Sequence, residues 1–173
     1  MFDDKYELDI LVNTVNCIGV MGKGIALEFK RRFPKYYIDY KELCNAHIIR
    51  PGGIYLHNIT KPWIISFATK DHWKNPSELQ WISDGLRKLS ILLDTLKNGN
   101  QVVSIGVPAL GCGNGGLDWQ EVKPLIVKEL GDITNRVVVF EPLEKKYEQS
   151  IHKVQGTIRT VRRVSTNRTR QIS

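Results

Sequence analysis

With 173 residues, 42% of them hydrophobic and 25% charged, the chain has the size and composition of one globular domain that buries its own core. No run approaches the ~18 apolar residues of a membrane span, Met1-Phe-Asp-Asp-Lys5 is no secretory signal, and three cysteines (Cys17, Cys44, Cys112) without Cys-x-x-Cys spacing point to a reducing cytoplasm. The formal charge of +7 is concentrated at the end: from Ile151 onward there are six basic residues and no acidic ones, leaving the body near +1.

Leu8-Asp-Ile-Leu-Val-Asn13 is apolar, bounded and too short for a helix, so it reads as a buried strand. It empties into a loop with three glycines, Thr14-Val-Asn16-Cys-Ile-Gly19-Val20-Met21-Gly22-Lys23-Gly24. Apolar Ile25, Ala26, Phe29 and Phe33 then recur at helical spacing, with Lys30, Arg31 and Arg32 outward. Pro34 is expected to end that helix, and residues 35–47 to form another. Gly53–Asn58 and Trp63–Ala68 read as strands whose connection is too short for a crossover, so they pair antiparallel and the first takes an edge.

The second of these strands ends at Thr69-Lys70, followed by Asp71-His72-Trp73-Lys74-Asn75-Pro76. Ser77 is placed to cap a long helix whose inward stripe is Leu79, Ile82, Leu86, Leu89 and Leu93, closed by Asn98-Gly-Asn. Gln101–Gly106 is the next strand. A helical crossover makes it parallel to Trp63–Ala68, which brings Lys70 to the sheet edge where the glycine loops lie.

That strand runs into a second glycine loop, Pro108-Ala109-Leu110-Gly111-Cys112-Gly113-Asn114-Gly115-Gly116-Leu-Asp118-Trp119, and Asp118 offers a cap for a helix to about Leu130. Arg136–Phe140 is the last core strand. Glycine-rich loops that open onto helix N-termini bare their amides to an anion, so two of them at one sheet edge suit a diphosphate. Isolated, each would equally read as a surface turn. The histidines are scattered and match no ligand spacing, so no metal is expected; nor is any cofactor. The tail, 151–173, reads either as a solvated end or as a salt-dependent attractor of nucleic acid.

The two motifs resemble the macrodomains, the ADP-ribose-binding α/β/α modules. Val12-Asn-Thr-Val-Asn16 with Gly19-Val-Met-Gly-Lys-Gly24-Ile-Ala is similar to the first ligand loop of that family, and Pro108–Trp119 to its diphosphate loop. Met21-Gly-Lys-Gly24-Ile-Ala and Thr69-Lys70 look most like the DarG-type DNA ADP-ribosyl glycohydrolases, antitoxins that remove ADP-ribose from thymidine in single-stranded DNA. The resemblance implies a three-layer fold with a mixed, mostly parallel sheet over 1–150. It makes Lys70 the catalytic lysine, as nucleophile or base, and Asn16 the contact to the distal ribose. Gly19, Val20, Met21, Gly22, Lys23 and Gly24 would bind ADP-ribose from one side, and Ala109, Leu110, Gly111, Cys112, Gly113, Asn114, Gly115 and Gly116 from the other.

Three departures sharpen these expectations. Macrodomains ordinarily open on a strand ending in Gly-Asp, which recognises adenine; this chain starts past that point with only Asp3 and Asp4 nearby. The sheet is therefore expected to lack that strand, with residues 154–164 of the tail docking in its place. The ester-cleaving relatives carry a catalytic aspartate where this chain has Gly115, which favours the lysine-only arrangement. The DarG antitoxins continue into a toxin-binding domain where this chain offers only a short basic tail, so the sequence does not support a toxin partner. A non-catalytic ADP-ribose reader is the alternative. Asn16 and Lys70 each have a plain structural reading as well, as a turn tie and as a solvated strand end. Cys112 reads as a small buried residue, and Trp73 either stacks on a nucleobase or packs on the following helix.

Overall fold

The computed structural model describes residues 1–99, 103–133 and 135–142, together with the backbone of Arg159–Val161. Strands are β1 (Ile10–Asn16), β2 (Ile54–His57), β3 (Trp63–Lys70), β4 (Ser104–Pro108), β5 (Arg136–Phe140) and β6 (Arg159–Val161). Helices are α1 (Gly24–Arg32), α2 (Pro34–Asn45), α3 (Leu79–Asn98) and α4 (Trp119–Leu130). They form one six-stranded sheet in the order β2-β3-β1-β4-β5-β6, in which only β2 runs antiparallel to its neighbour.

Alternation along the strands makes the three layers. On β1, Ile10 and Val12 join Ile65, Phe67, Ile105 and Val107 under the apolar stripes of α3 and α4. Leu11 and Val15 point the other way, with Ile64, Ala68 and Val138, against Phe29 of α1 and Tyr36 and Tyr40 of α2. Strands buried on both faces read as nearly continuous apolar runs, which is why the parallel strands could be picked out without strict alternation. The α/β/α architecture and the edge position of β2 agree with expectation.

Some local readings change. The first helix does end ahead of Pro34, but Pro34 also starts α2, one residue before the expected 35–47, because its missing N–H costs nothing at a first helical position. Ser77 is not a cap. The cap position of α3 is Glu78, whose side chain makes no capping bond, and the buried Ser77 hydroxyl has no hydrogen-bond partner. Asp118 caps α4 as expected, accepting from the Gln120 amide at 2.9 Å.

The N-terminal residues close the bottom of the sheet. Asp3 caps a short 3-10 turn, Asp4–Tyr6, and pairs with Lys5. The Asp9 carboxylate accepts from the Ser104 amide and hydroxyl, both at 2.7 Å, tying β1 to β4. At the far edge, β6 runs parallel to β5, with Arg159 opposite Val138 and Val161 opposite Phe140. It lies within the tail segment expected to join the sheet; residues 154–158 and 162–164 lie outside the described residues.

Candidate functional site

Because β1, β3 and β4 are parallel, their carboxyl ends share one edge, the position where open α/β sheets bind ligands. Asn16 ends β1, Lys70 ends β3, and the second glycine loop follows β4. A β-bulge refines the placement. Register runs evenly from Ile10 opposite Trp63 to Val15 opposite Ala68, then slips so that Asn16 faces Lys70. Bulges re-aim side chains at the ends of ladders, and this one puts the two predicted polar residues across from each other.

Lys70 is 9% exposed, and its ammonium donates to the Asn114 carbonyl at 2.5 Å and to the Trp73 carbonyl at 3.4 Å. It thus spans from β3 to the second glycine loop. Burial pushes its pKa below the ordinary lysine range, with Asp71 pulling in the opposite direction. The neutral amine that nucleophilic or base chemistry requires is therefore easier to reach than on a solvated lysine.

Asn16 gives its side chain to the first loop. Its Oδ1 accepts from the amides of Ile18 (3.1 Å) and Val20 (3.3 Å), and its Nδ2 donates to the Val20 carbonyl at 2.6 Å. Tyr40 donates to the Asn16 carbonyl at 2.7 Å and approaches Oδ1 at 3.3 Å. Tyr40 is buried, which keeps the phenol protonated and able to donate. Within this loop Gly19 and Met21 are buried, whereas Val20, Gly22, Lys23 and Gly24 face outward. Lys23 holds the cap position of α1 without a side-chain capping bond, so first-turn amides of α1 lack a side-chain acceptor.

In the second loop, Leu110, Gly111, Cys112 and Gly115 are buried; Gly113, Asn114 and Gly116 face outward and Ala109 is intermediate. Cys112 fits its plain reading: burial pushes the thiol up to about 12, far from a reactive thiolate. The Gly115 position is closed to side chains. A Cβ there would sit 2.3 Å from both the Gly111 carbonyl oxygen and the Ser77 hydroxyl, so the space an aspartate would need is filled. The loops also touch: at Gly24, whose φ is +58°, a Cβ would come within 3.1 Å of the Asn114 amide nitrogen. All the predicted residues therefore converge on one edge, but Met21, Leu110 and Cys112 are buried there.

A set of supporting residues escaped the sequence. Behind the first loop a buried chain of polar groups runs from Asp39 to His57 Nδ1, from His57 Nε2 to Ser66 Oγ (3.0 Å), and on to the Tyr36 hydroxyl (2.9 Å). Asn13 Nδ2 donates to Tyr36 at 2.9 Å and lies 3.8 Å from the Met21 sulfur, linking the network to the loop. The visible signal was only a pair of polar residues, Asn13 and Ser66, in otherwise apolar strands; they face each other in register.

Comparison with known proteins agrees with this geometry. The Macro domain family model matches residues 12–126. The chain belongs to the macrodomain family. This macrodomain is 41% identical, over 149 residues, to a DNA ADP-ribosyl glycohydrolase of Thermus aquaticus, an alignment covering 83% of this chain and 40% of that protein. It superposes on the macrodomain of Thermus aquaticus DarG with a TM-score of 0.71 at 41% identity, covering 78% of this chain and 90% of the other. Against Thermosipho africanus DarTG in complex with ADP-ribose the TM-score is 0.72 at 35% identity, covering 80% of this chain and 39% of the other. The macrodomain thus spans about two-fifths of the length of the curated relatives it matches. Among the described residues no group of three His, Cys, Asp or Glu side chains is placed to hold a metal ion, and no helix is long and apolar enough to cross a membrane.

Proposed function

We propose that this macrodomain is a cytoplasmic ADP-ribosyl glycohydrolase that removes ADP-ribose from thymidine in single-stranded DNA. The observation that carries the reading is Lys70. A buried lysine of lowered pKa lies opposite Asn16 and reaches the second glycine loop, at the sheet edge where both loops converge. The names of the relatives support the chemistry and the substrate class.

In this scheme the outward backbones of Gly22–Gly24 and Gly113–Gly116, with the N-terminus of α1, hold the diphosphate by amide donors. Asn16 offers its remaining amide hydrogen to the distal ribose. Hydrolysis breaks the bond between the anomeric carbon and the base and consumes one water; oxygen joins the carbon and a proton goes to the departing base. Neutral Lys70 serves either by attacking the anomeric carbon, with the covalent link later hydrolysed, or by taking the proton from the attacking water. Both routes need the unprotonated amine, so the rate rises with pH through a Lys70 pKa below the ordinary lysine value.

A second reading, an ADP-ribose reader without turnover, draws on the same contacts: an ammonium donating to two carbonyls is also the posture of a loop clasp. Lys70→Ala separates the two. Release of ADP-ribose from ADP-ribosylated single-stranded DNA should fall by about 100-fold or more, with affinity for free ADP-ribose, measured by calorimetry, held within a few-fold. Release by the variant at the normal rate would overturn the lysine mechanism. Tight binding by the wild type with intact substrate after long incubation would establish the reader.

A further inference from the structure

Trp73 is 49% exposed and belongs to neither hydrophobic core cluster, although it sits three residues after Lys70. Its ring does not stand alone. The His72 imidazole stacks on it with centroids 5.6 Å apart and planes 27° from parallel, and the Lys74 ammonium lies 5.1 Å from its centroid.

The backbone beneath these rings is fixed by short-range bonds. The Asp71 carboxylate accepts from the His72 amide and from Asn75 Nδ2, and the Asn75 amide donates to the His72 carbonyl at 3.1 Å. The Lys74 amide donates to His72 Nδ1 at 3.2 Å, which sets the ring orientation. Both ends of the segment are tied to the site: the Cys17 amide donates to the Asp71 carbonyl at 3.0 Å, and the Ser77 amide to the Gly115 carbonyl at 2.9 Å. Lys70 reaches the Trp73 carbonyl itself.

The segment between β3 and α3 therefore holds a flat, outward aromatic surface beside a cation, in a fixed position relative to the lysine. Its neighbours along the chain, Lys74 and Asn75, are exposed and polar. A flat ring flanked by positive charge is what single-stranded nucleic acids use: bases stack on it and the phosphates meet the cation.

We propose that Trp73, backed by His72 and flanked by Lys74, is a stacking platform for a nucleobase of the single-stranded DNA that carries the ADP-ribose. The inference rests on the glycohydrolase reading for the identity of the substrate, and it makes Trp73 a specificity residue: it holds the leaving strand and takes no part in bond cleavage. Free ADP-ribose has no second base to place there, so its affinity is independent of the ring.

The test has two arms. In the first, an unmodified single-stranded oligothymidylate is titrated into wild type and Trp73→Phe while tryptophan fluorescence is followed. Quenching in the wild type that is absent from the variant supports the platform. No quenching of the wild type, or equal quenching of both through Trp63, Trp81 or Trp119, overturns it, whether or not the protein turns over. In the second arm, Trp73→Ala should raise KM for an ADP-ribosylated oligonucleotide by about 5- to 100-fold, with kcat and ADP-ribose affinity close to wild type. Trp73→Phe should recover most of the loss. A matching loss of free ADP-ribose affinity would make the ring a prop for the pocket, and a loss confined to ADP-ribosylated protein would assign the surface to a protein partner; either result overturns the proposal. Failure of the wild type to release ADP-ribose from DNA would count against the glycohydrolase reading and leave the fluorescence arm to decide the platform.

Discussion

The first glycine loop is held in shape by side chains that reach it from α2 and β1, whereas the second is held mainly by its own backbone. Asn16, Tyr40 and the Asp39–His57–Ser66–Tyr36–Asn13 network all converge on Asn16–Met21. Between Ala109 and Leu117 the bonds are mostly main-chain, Cys112 to Ala109 at 3.2 Å, Gly116 to Gly113 at 3.3 Å and Leu117 to Gly111 at 3.1 Å, with the Lys70 ammonium on the Asn114 carbonyl as the side-chain tie from outside the loop. The two loops that the proposed function assigns to one ligand thus use different means of preorganisation. The first should tolerate changes at its outward Val20 and Lys23 and fail when distant partners are cut. The second should depend on few distant polar groups besides Lys70 and be intolerant of a single added carbon at the wrong glycine.

The largest effect expected from this contrast is at Gly115. Gly115→Asp, which would graft the carboxylate of the ester-cleaving relatives, must displace Gly111 or Ser77 and bury a charge. It should cost about 3 kcal/mol or more, seen as a large fall in melting temperature, and should not create esterase activity. A stable variant would show that the second loop can open. Next comes Tyr40→Phe, which strips a donor from the buried Asn16 carbonyl. A loss of about 1–2 kcal/mol is expected, together with weaker ADP-ribose binding, because the loop it braces loses shape; unchanged affinity would mean that Asn16 alone suffices.

A pH effect follows from His57. Burial lowers its pKa from 6.5, against the opposing pull of Asp39. Between the folded value and 6.5 the unfolded chain binds the extra proton, so stability falls as pH drops through about 6.5. Urea midpoints at about pH 7.5 and about pH 5.5 should show this, and His57→Gln should flatten that part of the slope. An unchanged slope would place the acid sensitivity elsewhere. The smallest effect on folding is at Gly113, where a Cβ would meet nothing within 4 Å. Gly113→Ala should alter stability by no more than ~0.5 kcal/mol and yet lower ADP-ribose affinity, since it fills space that the proposed function assigns to the diphosphate. Unaltered affinity would move the diphosphate away from that residue.

What the sequence disclosed follows the same division. Strand, loop and helix order could be read because apolar periodicity and glycine clusters are local signals, and the crossover rule then carried Lys70 to the correct edge. The bulge that sets Asn16 against Lys70 is a matter of register between segments more than fifty residues apart, and no local pattern encodes it. The network through His57 was hidden for the same reason: its members come from β1, α2, β2 and β3, and each looks ordinary in its own segment. Ser77 was misread because a serine ahead of an amphipathic run has the cap signature, while the backbone places the cap one residue later and turns the hydroxyl under the second loop. Trp73 was left open between stacking and packing, since exposure of a single ring depends on how the turn beneath it is tied.

Lys70 holds two carbonyls with the same nitrogen that the proposed chemistry needs. An arginine in its place would keep the donors and the positive charge while having no neutral form at any physiological pH. Lysine and arginine codons can differ by one nucleotide, so in a lineage of such domains an eraser of ADP-ribose lies a single point mutation from a protein that recognises the mark and leaves it in place.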